Sequence, residues 1–400
     1  RRLPPAVDRR GVGKAKRAFN LSAENLKPIT LSLDARATFA VRDELRKGIE
    51  KFKAKAAAAA ILDVNTGEVI ALASLPDFNP SNPKDALNPD HINRMNVGVY
   101  EMGSTFKAIS VAMALDANKV NLNSRIDARN ALHFGRFQIH DYHAQNRALT
   151  VPEVFTYSSN IGTARMALMV GVEGHKAFLR KMGQLDKLRT ELPETAEPIV
   201  PRNWGELNTM TIAFGHGLAV SPLQAMMAVG ALMNGGKLVT PTFLKRDEAE
   251  AQKAAPAVVR PETSEALRYL MRRNAEIGSA KNADVKGYFA GGKTGTAEKV
   301  IGGRYSKNKL FTTFMAVAPS DKPRYLFAVV MDEPQGLPET HGYATAAWNS
   351  GEVTGKILER VGPILGLPPR FTPPTQPFPL LARLGYSYVN APAAPTPGGH

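Results

Sequence analysis

Strand-like runs stand at both ends of this chain with a long helix-forming stretch between them, and that order leaves few ways to build a fold. Residues 59–64 and 69–73 flank Asn65-Thr66-Gly67, a good hairpin signal. Three further runs come late, at 288–297, 311–318 and 325–331, the last two joined by Pro319-Ser320-Asp321-Lys322-Pro323. Residues 103–275 between them are helical in pattern, with irregular polar stretches at 121–148 and 186–206. The fold class this predicts is α+β: one antiparallel sheet assembled from both chain ends, with a helical lobe between.

The flanks are read the same way. Residues 29–33 alternate like a strand, and Asp34 is placed to cap a helix with the stripe Val41, Leu45, Ile49 and Phe52. A last helix carries Val353, Ile357, Val361 and Ile364. Residues 1–28 are basic and read as a linker or the end of another domain; beyond Pro368 the chain is Pro-rich and reads as a flexible tail. Four hundred residues fit one large two-lobed domain, here 29–367, plus such appendages. Lys and Arg outnumber Asp and Glu by 51 to 36, which favours an anionic partner without naming it; no nucleic-acid-binding motif accompanies the charge. With no cysteine, thiolate catalysis and Cys-based zinc sites are excluded. The longest apolar run, 56–62, falls far short of the ~20 residues that span a bilayer. Arg1 is not a translation start, so a signal or anchor is expected upstream.

A serine attacks a carbonyl only if one group removes its proton and another stabilises the oxyanion. Gly103-Ser104-Thr105-Phe106-Lys107 meets the first need, since i and i+3 share a helix face. The apolar positions Phe106, Ile109, Ala112 and Met113 would bury that helix, and a lysine drawn in with them loses pKa and becomes a base. Ser-x-x-Lys occurs three times, but Ser81/Lys84 lies among Asn and Pro and Ser306/Lys309 follows Gly302-Gly303 in an expected loop. Only Ser104 opens a helix. A second element, Ser158-Ser159-Asn160, follows a short helix announced by the capping box Thr150-Val151-Pro152-Glu153; taken alone it reads as easily as a helix cap. A third, Lys293-Thr294-Gly295-Thr296, offers a cation, two hydroxyls and a glycine on a strand edge, suited to a carboxylate.

Two rival readings use the same residues. Gly287 to Thr294 matches G-x-x-x-x-G-K-T literally, but that loop needs a helix beginning near Lys293, which Gly295, Gly302 and Gly303 oppose. His133, His140 and His143, with Asp141, are a thin metal candidate without Cys or an HExxH motif. No cofactor is called for.

Ser-x-x-Lys, Ser-x-Asn and Lys-Thr-Gly in this order, with Ser104, Ser158 and Lys293 spaced by 54 and 135 residues, form the signature of penicillin-binding proteins and serine β-lactamases. From Ile29 to about Leu367 the sequence resembles a class B penicillin-binding protein. Residues 60–71 are similar to that family's opening hairpin, and 215–224 to a recurring segment of it. Residues 303–305, 311–320 and 331–335 are more similar to the septal, cell-division type than to its elongation counterpart. The resemblance implies a penicillin-binding transpeptidase fold, a pedestal of which 1–28 would be a remnant, and a single-pass anchor holding the enzyme at the periplasmic face of the inner membrane. It implies a peptidoglycan D,D-transpeptidase in which neutral Lys107 deprotonates Ser104, which attacks the penultimate D-Ala of a stem peptide. N–H groups of Ser104 and Thr296 would hold the oxyanion, Ser158 would pass a proton to the leaving D-Ala, and Asn160 would orient the peptide. Lys293, Thr294, Gly295 and Thr296 would bind the terminal carboxylate. A β-lactam would stop at the acyl-enzyme. Divisome membrane proteins, including a glycosyltransferase, are the partners implied. A β-lactamase, a β-lactam sensor, a carboxypeptidase, an elongation-type enzyme and a scaffold with incidental motifs remain the alternatives.

Overall fold

The computed structural model describes residues 27–388, together with the backbone of Ala6–Val7 and Gly13–Lys14. The chain divides into two units, residues 1–31 and 32–400. In the first, Ala6–Val7 pairs antiparallel with Gly13–Lys14. The rest of the basic stretch 1–26, and the tail 389–400, lie outside the described residues.

The second unit is built on one five-stranded sheet. Its strands are β1 (Ala56–Asp63), β2 (Val69–Leu75), β3 (Gly291–Ile301), β4 (Arg304–Ala318) and β5 (Tyr325–Asp332). Their spatial order is β3-β4-β5-β1-β2, every neighbour antiparallel, so β1 and β2 join the late strands across the whole intervening chain. The run Ala56 to Leu62 is explained by this topology: as β1 it is buried on both faces, and small side chains suit a strand covered twice. Ala57, Ala59 and Ile61 face helices α1 (Ala35–Phe52) and α7 (Ser350–Ile364), while Ala58, Ala60 and Leu62 face the helical lobe.

Asp34 caps α1 as expected, accepting from the N–H of Arg36 and Ala37. The strand expected over 29–33 does not form. Ser32 is the buried residue and Leu33 is exposed; Ser32 donates its N–H to Phe243 O and its hydroxyl to Val69 O, so the chain crosses the sheet end instead of pairing along it. Ser306 and Lys309, expected in a loop, lie on β4, because Gly302 and Gly303 (φ +57° and +77°) make a tight turn and the hairpin continues. The Pro-rich stretch after 368 is not a free tail as far as residue 388. Phe378 and Leu381 are buried, Leu381 N–H donates to Glu265 at 2.7 Å, and Tyr388 stacks edge-on with Tyr269 and Phe289 and bonds Glu276. Apolar residues set among the prolines fasten it to α6 (Pro261–Ile277).

The lobe contains α2 (Lys107–Asp116), α3 (Val151–Thr156), α4 (Asn160–Val170), α5 (Pro222–Met233) and α6. Its irregular part holds two small strand pairs, 125–127 with 148–150 and 132–134 with 137–139. Among the described residues no helix is long and apolar enough to cross a membrane.

His175 gives this lobe a pH dependence. It packs edge-on against Trp204 at 5.7 Å, and both its ring nitrogens are buried without a hydrogen-bond partner among the described residues. Burial pushes its pKa down from 6.5 to about 4. The unfolded chain takes up a proton below pH 6.5 that the folded site refuses until about pH 4. Its contribution is therefore intact above pH 6.5 and falls by about 3 kcal/mol on going down to pH 4. His175→Leu should flatten that part of the stability profile; urea midpoints that fall between pH 7 and 4.5 equally in both proteins would contradict this.

Candidate active site

Ser104 lies on a 3-10 turn, Gly103–Phe106, that runs straight into α2. The α-helix proper therefore begins at Lys107, slightly later than the sequence pattern indicates. The i, i+3 relation survives, since side chains three apart eclipse in a 3-10 turn. Ser104 is half-buried between the buried Gly103 and Thr105, and every residue from Lys107 to Leu115 is buried. Lys107 is 1% exposed. Its Nζ donates to Ser158 O at 2.6 Å and to Ser158 Oγ at 2.9 Å.

Ser158 sits where α3 ends and α4 begins. The capping box of Thr150 and Glu153 starts α3, with Pro152 in its first turn. Ser158 then takes φ +54°, a left-handed conformation uncommon for a non-glycine residue, which turns its side chain toward the lysines. The members of Ser158-Ser159-Asn160 divide between the helix cap and the lysines. Ser159 is the cap of α4, accepting from Gly162 N–H, while Ser158 faces the site. The turn is pinned by Asp141, whose Oδ2 accepts from Ser159 Oγ at 2.6 Å and whose Oδ1 accepts from Ile161 N–H at 2.9 Å. The Asn160 amide nitrogen donates to His140 O at 3.0 Å.

Strand β3 forms the opposite wall. As the edge strand it is paired only with β4, and Lys293 stands opposite Met315. Lys293 is 1% exposed, lies 5.6 Å from the Phe155 ring, and donates to Ser158 Oγ at 3.1 Å and to Thr294 O at 3.3 Å. The Thr294 hydroxyl bonds that of Ser279 at 2.8 Å. Thr296 Oγ1 accepts from Ala346 N–H at 3.1 Å, which leaves its own proton to donate. Gly295 permits the close approach of the two walls: a Cβ there would lie 2.5 Å from Met102 O.

Two lysine amines thus converge on one hydroxyl oxygen. Both are stripped of water, and the charge of Lys293 adds to the penalty on Lys107. Burial first, and Lys293 second, hold Lys107 well below the usual lysine range; Asp141 acts weakly the other way. Burial alone brings Lys293 down to about 7. With Oγ accepting from both amines, the hydroxyl proton of Ser158 is left to donate to another acceptor. A half-exposed serine, a lysine kept neutral and a hydroxyl able to pass a proton are the parts acyl transfer requires.

The structure brings Lys107 and Lys293 together on Ser158, with Ser104 on the turn that leads into α2, Asn160 at the start of α4, and Thr294, Gly295 and Thr296 on the edge strand. The phosphate-loop reading is overturned: Lys293 lies within a strand, and no helix begins there. Asp141 was noted only beside the histidines. Its role in fixing the Ser158 turn leaves no local pattern in sequence, because the contact joins residues 18 apart through an irregular loop.

A profile of the penicillin binding protein transpeptidase domain matches residues 57–359. The chain is 38% identical to the probable peptidoglycan D,D-transpeptidase FtsI of Caulobacter vibrioides over 85% of its length, and 35% identical to the probable peptidoglycan D,D-transpeptidase PenA of Neisseria meningitidis over 88%. It spans 59% of the length of each. In structure it resembles the TP domain of Burkholderia pseudomallei penicillin-binding protein 3, with TM-score 0.76 and 31% identity, covering 86% of this chain and 98% of that one. The matched region contains the sheet, the helical lobe and the segments that carry Ser104, Lys107, Ser158 and Lys293, and with it the chain belongs to the penicillin-binding protein transpeptidase-domain family.

Proposed function

We propose that this chain carries out peptidoglycan D,D-transpeptidation through an acyl-enzyme on Ser104. The observation that carries the reading is the convergence of Lys107 and Lys293 on Ser158 Oγ, at 2.9 and 3.1 Å. Neutral Lys107 takes the Ser104 proton as Oγ attacks the penultimate D-Ala carbonyl. The backbone N–H groups of Ser104 and Thr296 receive the oxyanion. Ser158, already aligned by both amines, hands a proton to the departing D-alanine. Lys293, charged once a carboxylate lies beside it, binds the substrate terminus with Thr294 and Thr296 across Gly295, and Asn160 accepts from the peptide backbone. An amine of a second stem then takes the acyl group.

A septal role is supported by the likeness of residues 303–305, 311–320 and 331–335 to the cell-division type and by the FtsI name of the Caulobacter relative. We take 29–367 as the transpeptidase domain, held at the periplasmic face by an anchor outside this sequence and working beside a glycosyltransferase and other divisome membrane proteins. A β-lactam mimics the donor, acylates Ser104 and stays there. The test is covalent capture of penicillin at Ser104, lost in Ser104→Ala.

A further inference from the structure

Beside the nucleophile turn two polar atoms are buried without a hydrogen-bond partner among the described residues: Oε2 of Glu101 and Nδ1 of His216, an acceptor in the Nε2–H tautomer. Glu101 precedes Ser104 by three residues. Its other oxygen accepts from Gly217 N–H at 2.8 Å and from the Tyr305 hydroxyl at 3.2 Å. His216 stands between Gly217 and Gly215, whose carbonyl accepts the Gly103 N–H at 3.2 Å, and its ring meets Tyr305 edge-on at 6.2 Å. The segment carrying His216 is therefore fastened directly to the residue before the nucleophile.

The charged groups facing the imidazole are Glu101 on strand 100–101, Lys107 on α2 and Glu298 on β3, with Tyr305 on the β3–β4 hairpin. Burial, joined by Lys107 whenever that amine is charged, holds the ring's pKa below its usual value against the pull of Glu101, the Phe214 carbonyl and Glu298, so the imidazole is neutral at neutral pH and able to accept a proton. Buried acceptors lacking donors, flanked by carboxylates, suit a cation with several N–H groups. The roles proposed above for Lys107, Ser158 and Lys293 concern the donor half of the reaction. None of them prepares the incoming amine, which arrives protonated and cannot attack in that form.

We propose that His216 and Glu101 form the acceptor subsite, in which a primary alkylammonium is held by Glu101 and gives a proton to His216 before attacking the acyl-Ser104 ester. This rests on the acyl-enzyme reading above. In the step, R–NH3+ gives one proton to the imidazole, which later releases it to solvent. The amine nitrogen then forms the C–N bond, the C–Oγ bond breaks, and the second amine proton returns to Ser104 Oγ through Lys107. The products are the amide, free Ser104 and one proton.

The test follows acyl transfer from a thioester donor to two acceptors at pH 7: 1,5-diaminopentane, which is an ammonium there, and hydroxylamine, which is already neutral. His216→Asn should lower aminolysis by the diamine about a hundredfold, the scale of a general base, while transfer to hydroxylamine stays within about twofold. Equal loss with both acceptors would make the residue merely structural, and loss with neither would remove it from the step; each overturns the inference. Acyl-enzyme formation, read on the same samples by intact mass, separates the two claims: no adduct on wild type sinks the acyl-enzyme reading itself. If the variant does not fold, the wild-type profile decides. Diamine transfer should rise less than tenfold per pH unit between pH 6.5 and 8.5, whereas a full tenfold rise per unit, tracking the free amine, contradicts the proposal.

Discussion

Lys107→Gln should slow acylation of Ser104 by about a thousandfold, the range of losing a positioned general base. Lys107 is 1% exposed and held well below its usual pKa, so in wild type its neutral form is available near neutrality. The neutral amine is the active form, so acylation should rise with pH and level off above the lowered pKa. Lys293 acts with the opposite sign. It works as an ammonium, and with its pKa at about 7 in the free site, binding of a carboxylate substrate should weaken as pH rises above that value. Wild type should therefore show a bell in kcat/KM for a carboxylate-bearing donor, and Lys107→Gln should lose the rising limb. Stopped-flow acylation from pH 5 to 10 reads both. A variant within about tenfold of wild type, with its acid limb intact, would remove Lys107 from the base role.

Gly215→Ala should destabilise the domain by about 3 kcal/mol or more and slow acylation with it. Gly215 has φ +91°, and an ideal Cβ there would overlap the carbonyl oxygen of Gly103, a backbone atom that cannot swing aside. Relieving the clash moves Gly103, and with it the Ser104 turn. Gly235→Ala is the matched control, because its φ is +94° but nothing lies within 4 Å of the added methyl. It pays the backbone strain alone, about 1–2 kcal/mol. Urea unfolding of the pair isolates the overlap; equal losses would show that the Gly215–Gly103 contact does not hold the nucleophile turn.

The sheet was readable because its strands are continuous apolar runs set off by turn residues, a signal that survives without knowledge of their partners. The β1–β2 hairpin around Asn65-Thr66-Gly67 and the runs ending at Ala318 and Met331 all stand where the pattern puts them. The 29–33 strand failed because alternation was taken as sufficient, whereas Ser32 is drawn inward by Val69 O and Phe243 O. The tail reading failed because proline content outweighed Phe378, Leu381 and Tyr388, whose partners on α6 lie more than a hundred residues away. In the site, the motifs announced which residues meet but not how. That Lys107 bonds Ser158 depends on the left-handed turn at Ser158, and that turn depends on Asp141. Glu101 and His216 come together through the contact of Gly103 with Gly215 and the bond from Gly217 N–H to Glu101, which join segments more than a hundred residues apart.

The most direct measurement is the intact mass of the purified chain after hours with penicillin, for wild type and Ser104→Ala. The account predicts one added penicilloyl mass on wild type, mapped to the peptide containing Ser104 and persisting through the time course, and none on the variant. An adduct of equal yield on Ser104→Ala, or no adduct on a folded wild type, would contradict it.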